Sequence, residues 1–333
     1  MEIVRAEPGH EPQILALAQR SLGWGDDERF AALYRWKHDE NPLGPSPRWV
    51  ALEGDRVVGF RVFLRWRFTR PDGGVATAVR AVDTATDPDH QGKGIFRALT
   101  LGALDALRAD GVDFVFNSPN EKSRPGYLKM GWIELGRPPV AVTPRLGSLV
   151  RIARSRTAAD RWSVPTAVGS PAAAWFATEA GTSLVAAGAA SQAADQRWRT
   201  DRTPQWLAWR YGLEALAYRV LTSADLGGSG SSTAAVDGAA VFRLRRRGSA
   251  TEATVAEVLT PDPATRRSLV RGVLRATGAD YALVAGAGSL GWPPSISLPA
   301  FSPLLTWRAV TAEAPATLDD FDFAVGDIAL FLL

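Results

Sequence analysis

Apolar residues recur along this chain with two different periods, and the switches between them mark its elements. An alternating run over residues 2–6 ends at Pro8 and Gly9. Pro12 then opens a helix over residues 13–22, with apolar side chains three and four apart. Asp26 and Asp27 offer a cap for a second helix over residues 30–37, which stops before the turn at residues 41–44. Residues 49–52 and 57–68 read as strands joined at Gly54 and Asp55, and Pro71 to Gly74 turns the chain into a third, residues 75–86. A glycine-rich turn follows. After it come a helix over residues 96–108 that buries Leu99, Leu104 and Leu107, a stop at Gly111, and a short apolar strand over residues 112–116.

The second half repeats this order. Trp206 to Arg210 parallels Leu33 to Lys37, Ala256 to Pro263 parallels Val82 to Asp89, and Gly278 to Leu283 parallels Gly111 to Phe116. The shifts between these pairs are nearly constant, which points to a tandem duplication. Between the halves, residues 145–162 are arginine-rich and carry Leu149, Val150, Ile152 and Ala153 at helical spacing, so a connecting helix is expected there. The glycine and serine run over residues 227–232 reads as a hairpin tip.

Composition narrows the picture. A chain of 333 residues, 46% hydrophobic and 22% charged, is globular and long enough for two domains. Its net charge of +3 is the difference between 38 basic and 35 acidic side chains, so a nucleic-acid partner is not expected. The lack of cysteine excludes disulfides, thiolate metal sites and a cysteine nucleophile, and three scattered histidines do not make a metal centre. Residues 1–9 have neither a basic head nor an apolar core, and the alanine-rich run over residues 171–190 carries Glu179. These features predict a cytoplasmic protein without a membrane partner.

Specific chemistry enters at Gln91-Gly92-Lys93-Gly94-Ile95-Phe96. Gly92 and Gly94 let the backbone turn sharply, and the amides of the new helix face an anion with the positive end of its dipole. A P-loop and a dinucleotide fingerprint both need glycine or lysine at other spacings. What fits is the Gln/Arg-x-x-Gly-x-Gly/Ala pyrophosphate loop of the GNAT acyl-CoA N-acyltransferases, which Gln91, Gly94 and Phe96 resemble, with Phe96 departing from the small final residue. Downstream, Asn120 precedes Tyr127 by seven residues, and Tyr127 precedes Gly131 and Trp132 by four, which is similar to that family's second half-site.

The resemblance implies an α/β (α+β) chain of two tandem GNAT-like domains, each a mixed, mostly antiparallel twisted sheet flanked by helices. Domains are expected at residues 1–145 (catalytic), 146–168 (linker helix) and 169–333 (degenerate). It implies acetyl-CoA as cofactor and no metal. Thr84, Ala85 and Thr86 would pair with pantetheine, Gln91, Gly92, Lys93, Gly94, Ile95, Phe96 and Arg97 would hold the pyrophosphate, and Asn120 and Ser123 would support it. Asn120 either bonds cofactor or only caps a turn. In the second half Thr265 to Val270 replaces the loop without a glycine, so that half is expected to have lost the cofactor. Tyr127 is read as general acid for the leaving thiolate in preference to a core aromatic. For the general base, Asp83 stands on the strand beside the loop, although pairing with Arg80 would suit it equally, and Glu121 is a further candidate. Tyr34 and Asn41 come from the region expected to line the acceptor pocket, and His90 is read as structural. The reaction implied is direct attack of a small-molecule primary amine on the acyl group in a ternary complex, by a monomer or homodimer. The alternatives are a non-catalytic acyl-CoA sensor or scaffold and a protein or peptide acetyltransferase.

Overall fold

The computed structural model describes residues 1–155, 157–191, 196–227, 236–285, 296–297, 302–311 and 317–328. Residues 228–232 of the expected hairpin tip lie outside them. The chain divides into two compact units. The first comprises Met1–Arg70, Gly74–Gly136 and Leu304–Asp320, and the second Pro71–Gly73, Arg137–Pro303 and Phe321–Leu333.

The first unit is one mixed sheet with helices on it. Strands β1 (Glu2–Arg5), β2 (Arg48–Glu53), β3 (Arg56–Thr69) and β4 (Val75–Thr86) form an antiparallel meander. Strand β5 (Phe114–Asn117) lies parallel to β4. Helix α1 (Glu11–Leu22) begins on Pro12 and ends at Gly23, whose φ of 67° suits a residue without a Cβ. Helix α2 (Arg29–His38) has Asp27 at its start, the carboxylate accepting the Arg29 amide at 3.1 Å.

The helix expected over residues 96–108 is two helices, α3 (Ile95–Gly102) and α4 (Leu104–Ala109), with the break falling at Gly102, a weak helix former. Leu99, Leu104 and Leu107 are buried as expected, against Trp49, Phe63, Val79 and Val115. Each such side chain contributes roughly 1.5–3 kcal/mol when fully buried. Helix α3 settles directly on β3 because residue 59 is glycine. A Cβ there would meet Ile95 Cγ2 at 2.7 Å.

Helix α5 (Arg124–Lys129) and strand β6 (Ile133–Gly136) follow, and Pro138 and Pro139 then end that path before strand β7 (Val140–Pro144). The units are not contiguous blocks. Strand β7 pairs within the second unit, and a strand from the C-terminal region completes the first.

The second unit is built likewise from β8 (Ser170–Pro171), β9 (Trp198–Thr200), β10 (Arg219–Thr222), β11 (Ala239–Arg247), β12 (Ala250–Leu259), β13 (Tyr281–Ala285) and β14 (Ile296–Ser297). Its sheet order is β14-β7-β13-β12-β11-β10-β8, with only β12 and β13 parallel. The strand given to the first unit is β15 (Leu305–Ala309), whose sheet runs β1-β2-β3-β4-β5-β15-β6. A 15-residue helix over Pro263–Thr277 covers the second sheet through Leu269, Val270, Val273 and Leu274.

The expected connecting helix over residues 145–162 is corrected. Only Leu149–Arg154 is α-helical, after a short 3-10 turn. Leu149 and Val150 are 52% and 63% exposed, so their spacing has no surface to bury against. Beyond it the chain runs beside β11, with the amides of Asp160 and Val164 donating to the carbonyls of Arg246 and Leu244 at 2.7 and 2.8 Å. That edge satisfies the backbone in place of a helix.

Both sheets are therefore mixed, mostly antiparallel and flanked by helices, as the resemblance implied. No helix of the described residues is long and apolar enough to cross a membrane.

Candidate active site

The site begins where β4 stops being an ordinary strand. Arg61 pairs with Thr84 and Val62 with Val82, so Asp83 is one residue too many and forms a bulge, at a φ of 38°. Strand β4 pairs with β5 only over Ala78–Arg80 against Phe114–Phe116. Past Arg80 the two diverge, and the β5-facing edge of residues 82–86 has no strand partner among the described residues. An extended ligand could add to that edge.

The glycine turn closes one end. Gly92 and Gly94 have φ of 77° and 76°, a region costly for other residues, and a Cβ on either would meet nothing within 4 Å. Gly94 occupies the cap position of α3 and offers no side chain to its first amides. Those amides border a cleft of about 430 Å³ lined by Thr84, Ala85, Thr86, Gln91, Gly92, Gly94, Ile95 and Phe96. Asn120, Lys122, Ser123 and Gly126 line it from α5 and the preceding loop, and Ser21, Leu22 and His90 complete it.

The equivalent helix in the second unit differs in electrostatics. Asp262 caps it, accepting from the Thr265 amide at 2.7 Å and from its hydroxyl at 2.8 Å. A carboxylate on the helix terminus repels an anion where α3 would attract one.

Most residues expected to hold the cofactor therefore share one cleft. Lys93 and Arg97 are exposed and do not line it. The Asn120 carboxamide accepts from the Ser123 amide at 2.9 Å and hydroxyl at 3.0 Å, so its turn-capping reading is realised at the cleft edge. Glu121 is exposed and outside the lining. His90 joins Glu53 at 3.0 Å and also borders the cleft.

Tyr34 and Asn41 are elsewhere. Tyr34 is fully buried beside His38 at a ring separation of 4.7 Å, and burial raises its hydroxyl well above the ordinary range. Asn41 holds its own turn through the Leu43 amide at 2.9 Å and the Arg65 carbonyl at 3.0 Å.

Asp83 does not pair with Arg80, which donates to Ser118 Oγ at 2.9 Å. Its partners are Lys37 and His38 from the end of α2, neither singled out by the sequence pattern. Lys37 forms an ion pair with Asp83 Oδ2, and His38 Nε2 is 2.8 Å from the same oxygen. Burial alone would raise the Asp83 carboxyl, but the Lys37 charge and the His38 hydrogen bond outweigh it and hold the group below the usual carboxylate range.

His38 is pushed down to about 4 chiefly by its own burial. It is therefore neutral at pH 7. With Asp83 ionised, Nε2 carries the proton and Nδ1 accepts from the Ser46 hydroxyl at 2.9 Å.

This cluster makes stability depend on pH. The folded His38 value lies below its ordinary 6.5, so the unfolded chain takes up the proton first. Its contribution is complete above that pH and is lost as pH falls toward 4, by on the order of 3 kcal/mol. Asp83 adds a loss of the same sign below its ordinary 3.8. Urea unfolding at pH 7 and pH 4.5 should show a smaller loss for His38→Asn than for wild type. Equal losses would refute a buried neutral His38.

Tyr127 sits one layer behind the cleft. It is 3% exposed, with its ring edge-on to Phe96 and Trp132, both at 5.3 Å between centroids. Phe96 therefore faces inward, onto the tyrosine. The Tyr127 hydroxyl accepts a hydrogen bond from Arg61 Nη2. Arg61 went unremarked in the sequence, although an arginine at the centre of an apolar strand was the available signal.

Comparison with known proteins bears directly on this arrangement. The model of the acetyltransferase (GNAT) domain family matches residues 2–134. Those residues form a GNAT domain. Over 131 residues the chain is 28% identical to a mycothiol acetyltransferase of Rhodococcus jostii, covering 37% of this chain and 42% of that protein's length. Among solved structures, a probable N-acyltransferase of Enterococcus faecalis aligns with a TM-score of 0.64 at 12% identity, over 93% of this chain and 72% of its own. A GCN5-related N-acetyltransferase of Anabaena variabilis gives 0.64 at 13% identity over 93% and 73%. One of Kribbella flavida gives 0.63 at 16% over 92% and 70%. These structures share the fold of the chain, the GNAT domain included. Among the described residues no cluster of three or more histidine, aspartate or glutamate side chains could hold a metal ion.

Proposed function

We propose that this chain is an N-acetyltransferase that moves an acetyl group from acetyl-CoA to a primary amine of a small molecule, in the cytoplasm. The observation that carries the reading is the uncapped start of α3 on a two-glycine turn, opening into a cleft beside an unpaired strand edge. The residues present fit coenzyme A: open space where glycine side chains would be, free amides for a pyrophosphate, and an edge for pantetheine. When bound, acetyl-CoA supplies an acyl carbon with a thiolate leaving group.

The chain's residues do the rest. Amides of residues 92–95 bind the pyrophosphate, the Gln91 amide being engaged by the Pro88 carbonyl, with Lys93 and Arg97 adding charge from the rim. Backbone groups of Thr84, Ala85 and Thr86 orient the acyl arm. Asp83, anchored and ionised, draws the acceptor amine. An amine nitrogen bonded to the acyl carbon is far more acidic than an ammonium, so even this weakly basic carboxylate takes its proton, directly or through water. Tyr127 protonates the leaving sulfur. The mycothiol acetyltransferase relative acts on a small molecule by its name, which favours that acceptor class over a protein.

A panel of small amines with acetyl-CoA should release CoA above the hydrolysis background for at least one class. Saturable acetyl-CoA binding with no release across the panel would replace the reading by a non-catalytic acyl-CoA sensor. Turnover confined to peptide amines would move the acceptor to protein.

A further inference from the structure

Arg61 is a buried cation of the first unit that the chemistry above leaves unused. Its side chain is fully buried at the centre of β3. The guanidinium carbon lies 5.1, 5.5 and 5.2 Å from the rings of Phe63, Phe96 and Tyr127. Its Nη2 donates to the Tyr127 hydroxyl, while Nε and Nη1 have no hydrogen-bond partner among the described residues, and no carboxylate pairs with it there. A buried cation without a counter-ion is expensive, and ring faces offset only part of that cost. The strand neighbour of Arg61 is Thr84, beside the Asp83 bulge, and both Thr84 and Phe96, one of the rings its guanidinium faces, line the cleft.

We propose that Arg61 is the positioning residue of the Tyr127 acid, and that the anion it is built to meet is the Tyr127 phenolate. The inference rests on the acetyltransferase reading above. By occupying a lone pair of the phenol oxygen, Arg61 turns the O–H bond away from itself. As the nitrogen–carbon bond forms and the carbon–sulfur bond breaks, Tyr127 gives its proton to the sulfur and becomes an anion against Arg61. The proton taken from nitrogen by Asp83 returns through water to the phenolate, so both groups are restored. Preorganised positive charge at the place where negative charge develops is the most effective form of electrostatic stabilisation. The Tyr127 ring packs on Phe96 of α3 and the following Trp132, its hydroxyl meets Arg61 of β3, and Arg61 alone among these is charged.

The test compares Arg61→Gln, which removes the charge at similar size, with Arg61→Lys, which keeps it. The alkaline ionisation of Tyr127 is isolated as the difference in tyrosinate absorbance between each protein and the same protein carrying Tyr127→Phe. Arg61→Gln should move it up by a pH unit or more, and Arg61→Lys by less. In turnover Arg61→Gln should lower kcat at least tenfold with the KM for acetyl-CoA unchanged, and should have no further effect on Tyr127→Phe. Equal ionisation in wild type and Arg61→Gln overturns the proposal. Should Arg61→Gln not fold, Arg61→Lys decides. A shifted ionisation supports the proposal, and a folded Arg61→Lys with ionisation and kcat both unchanged assigns Arg61 to packing and overturns it. The absorbance titration needs no acyl donor. An inactive wild type would therefore end the acetyltransferase reading without deciding this result.

Discussion

Replacing Tyr127 by phenylalanine should lower kcat for acetyl transfer by roughly 10²–10⁴-fold, the usual worth of a positioned proton donor. The size of the effect comes from what the substitution leaves in place. The ring stays wedged between Phe96 and Trp132, so packing is kept. Gly126 and Ser123, which line the cleft on the same helix and its cap, are not disturbed, so acetyl-CoA affinity should change by less than about threefold. Only the oxygen is lost, and with it the side-chain hydrogen bond that Arg61 makes among the described residues. Leaving that donor unsatisfied costs about 1–3 kcal/mol, so Tyr127→Phe should also unfold at lower denaturant. The decisive measurement is kcat against calorimetric affinity. A variant with full kcat and a good acceptor removes Tyr127 from the chemistry. A fall in affinity equal to the fall in kcat would make it a binding residue.

What could be read beforehand follows from how local each constraint is. Gly92 and Gly94 announce themselves because positive φ is written in the residue type itself. The spacing from Asn120 to Tyr127 is legible for a similar reason, since one helical turn carries Ser123 and Gly126 to the cleft edge and Tyr127 to the layer behind it.

The partners of Asp83 were not legible. His38 lies 45 residues away, and only the bulge and the end of α2 bring the two together. Lys37 closed the expected second helix and His38 lay beyond it, whereas the helix runs through His38 and both side chains are buried. Strand β15 could not be placed between β5 and β6 from its own pattern, because its register against Phe114–Asn117 spans some 190 residues of chain. The overlong connecting helix shows the converse error, in which correct spacing of Leu149 and Val150 meets no surface to bury it. Arg61 falls between these cases: strand alternation puts it on the face of Gly59 and Phe63, beneath α3, where an arginine needs a reason.

Valine at Gly94 should weaken acetyl-CoA binding by roughly 30–100-fold, and Gly92→Val should act similarly, which corresponds to about 2–3 kcal/mol. Space is not the cause, since a Cβ at either position meets nothing within 4 Å. The cause is the backbone. A β-branched residue held at φ of 76–77° costs about 1–3 kcal/mol, and the turn relieves it by rotating the amides that open α3 away from the cleft. Binding is lost because those amides receive no side-chain cap and are the anion's only preorganised donors at that helix end. Gly54→Val is the control, because Gly54 has a φ of 59°, open space around it and no place in the cleft. It should cost comparable stability and leave affinity unchanged. Calorimetry on wild type should give one acetyl-CoA per chain, since Asp262 already occupies the corresponding helix terminus in the second unit. Two sites of similar affinity would mean that a carboxylate-capped helix accepts the pyrophosphate after all. Retained affinity in both glycine variants would move the cofactor out of this turn.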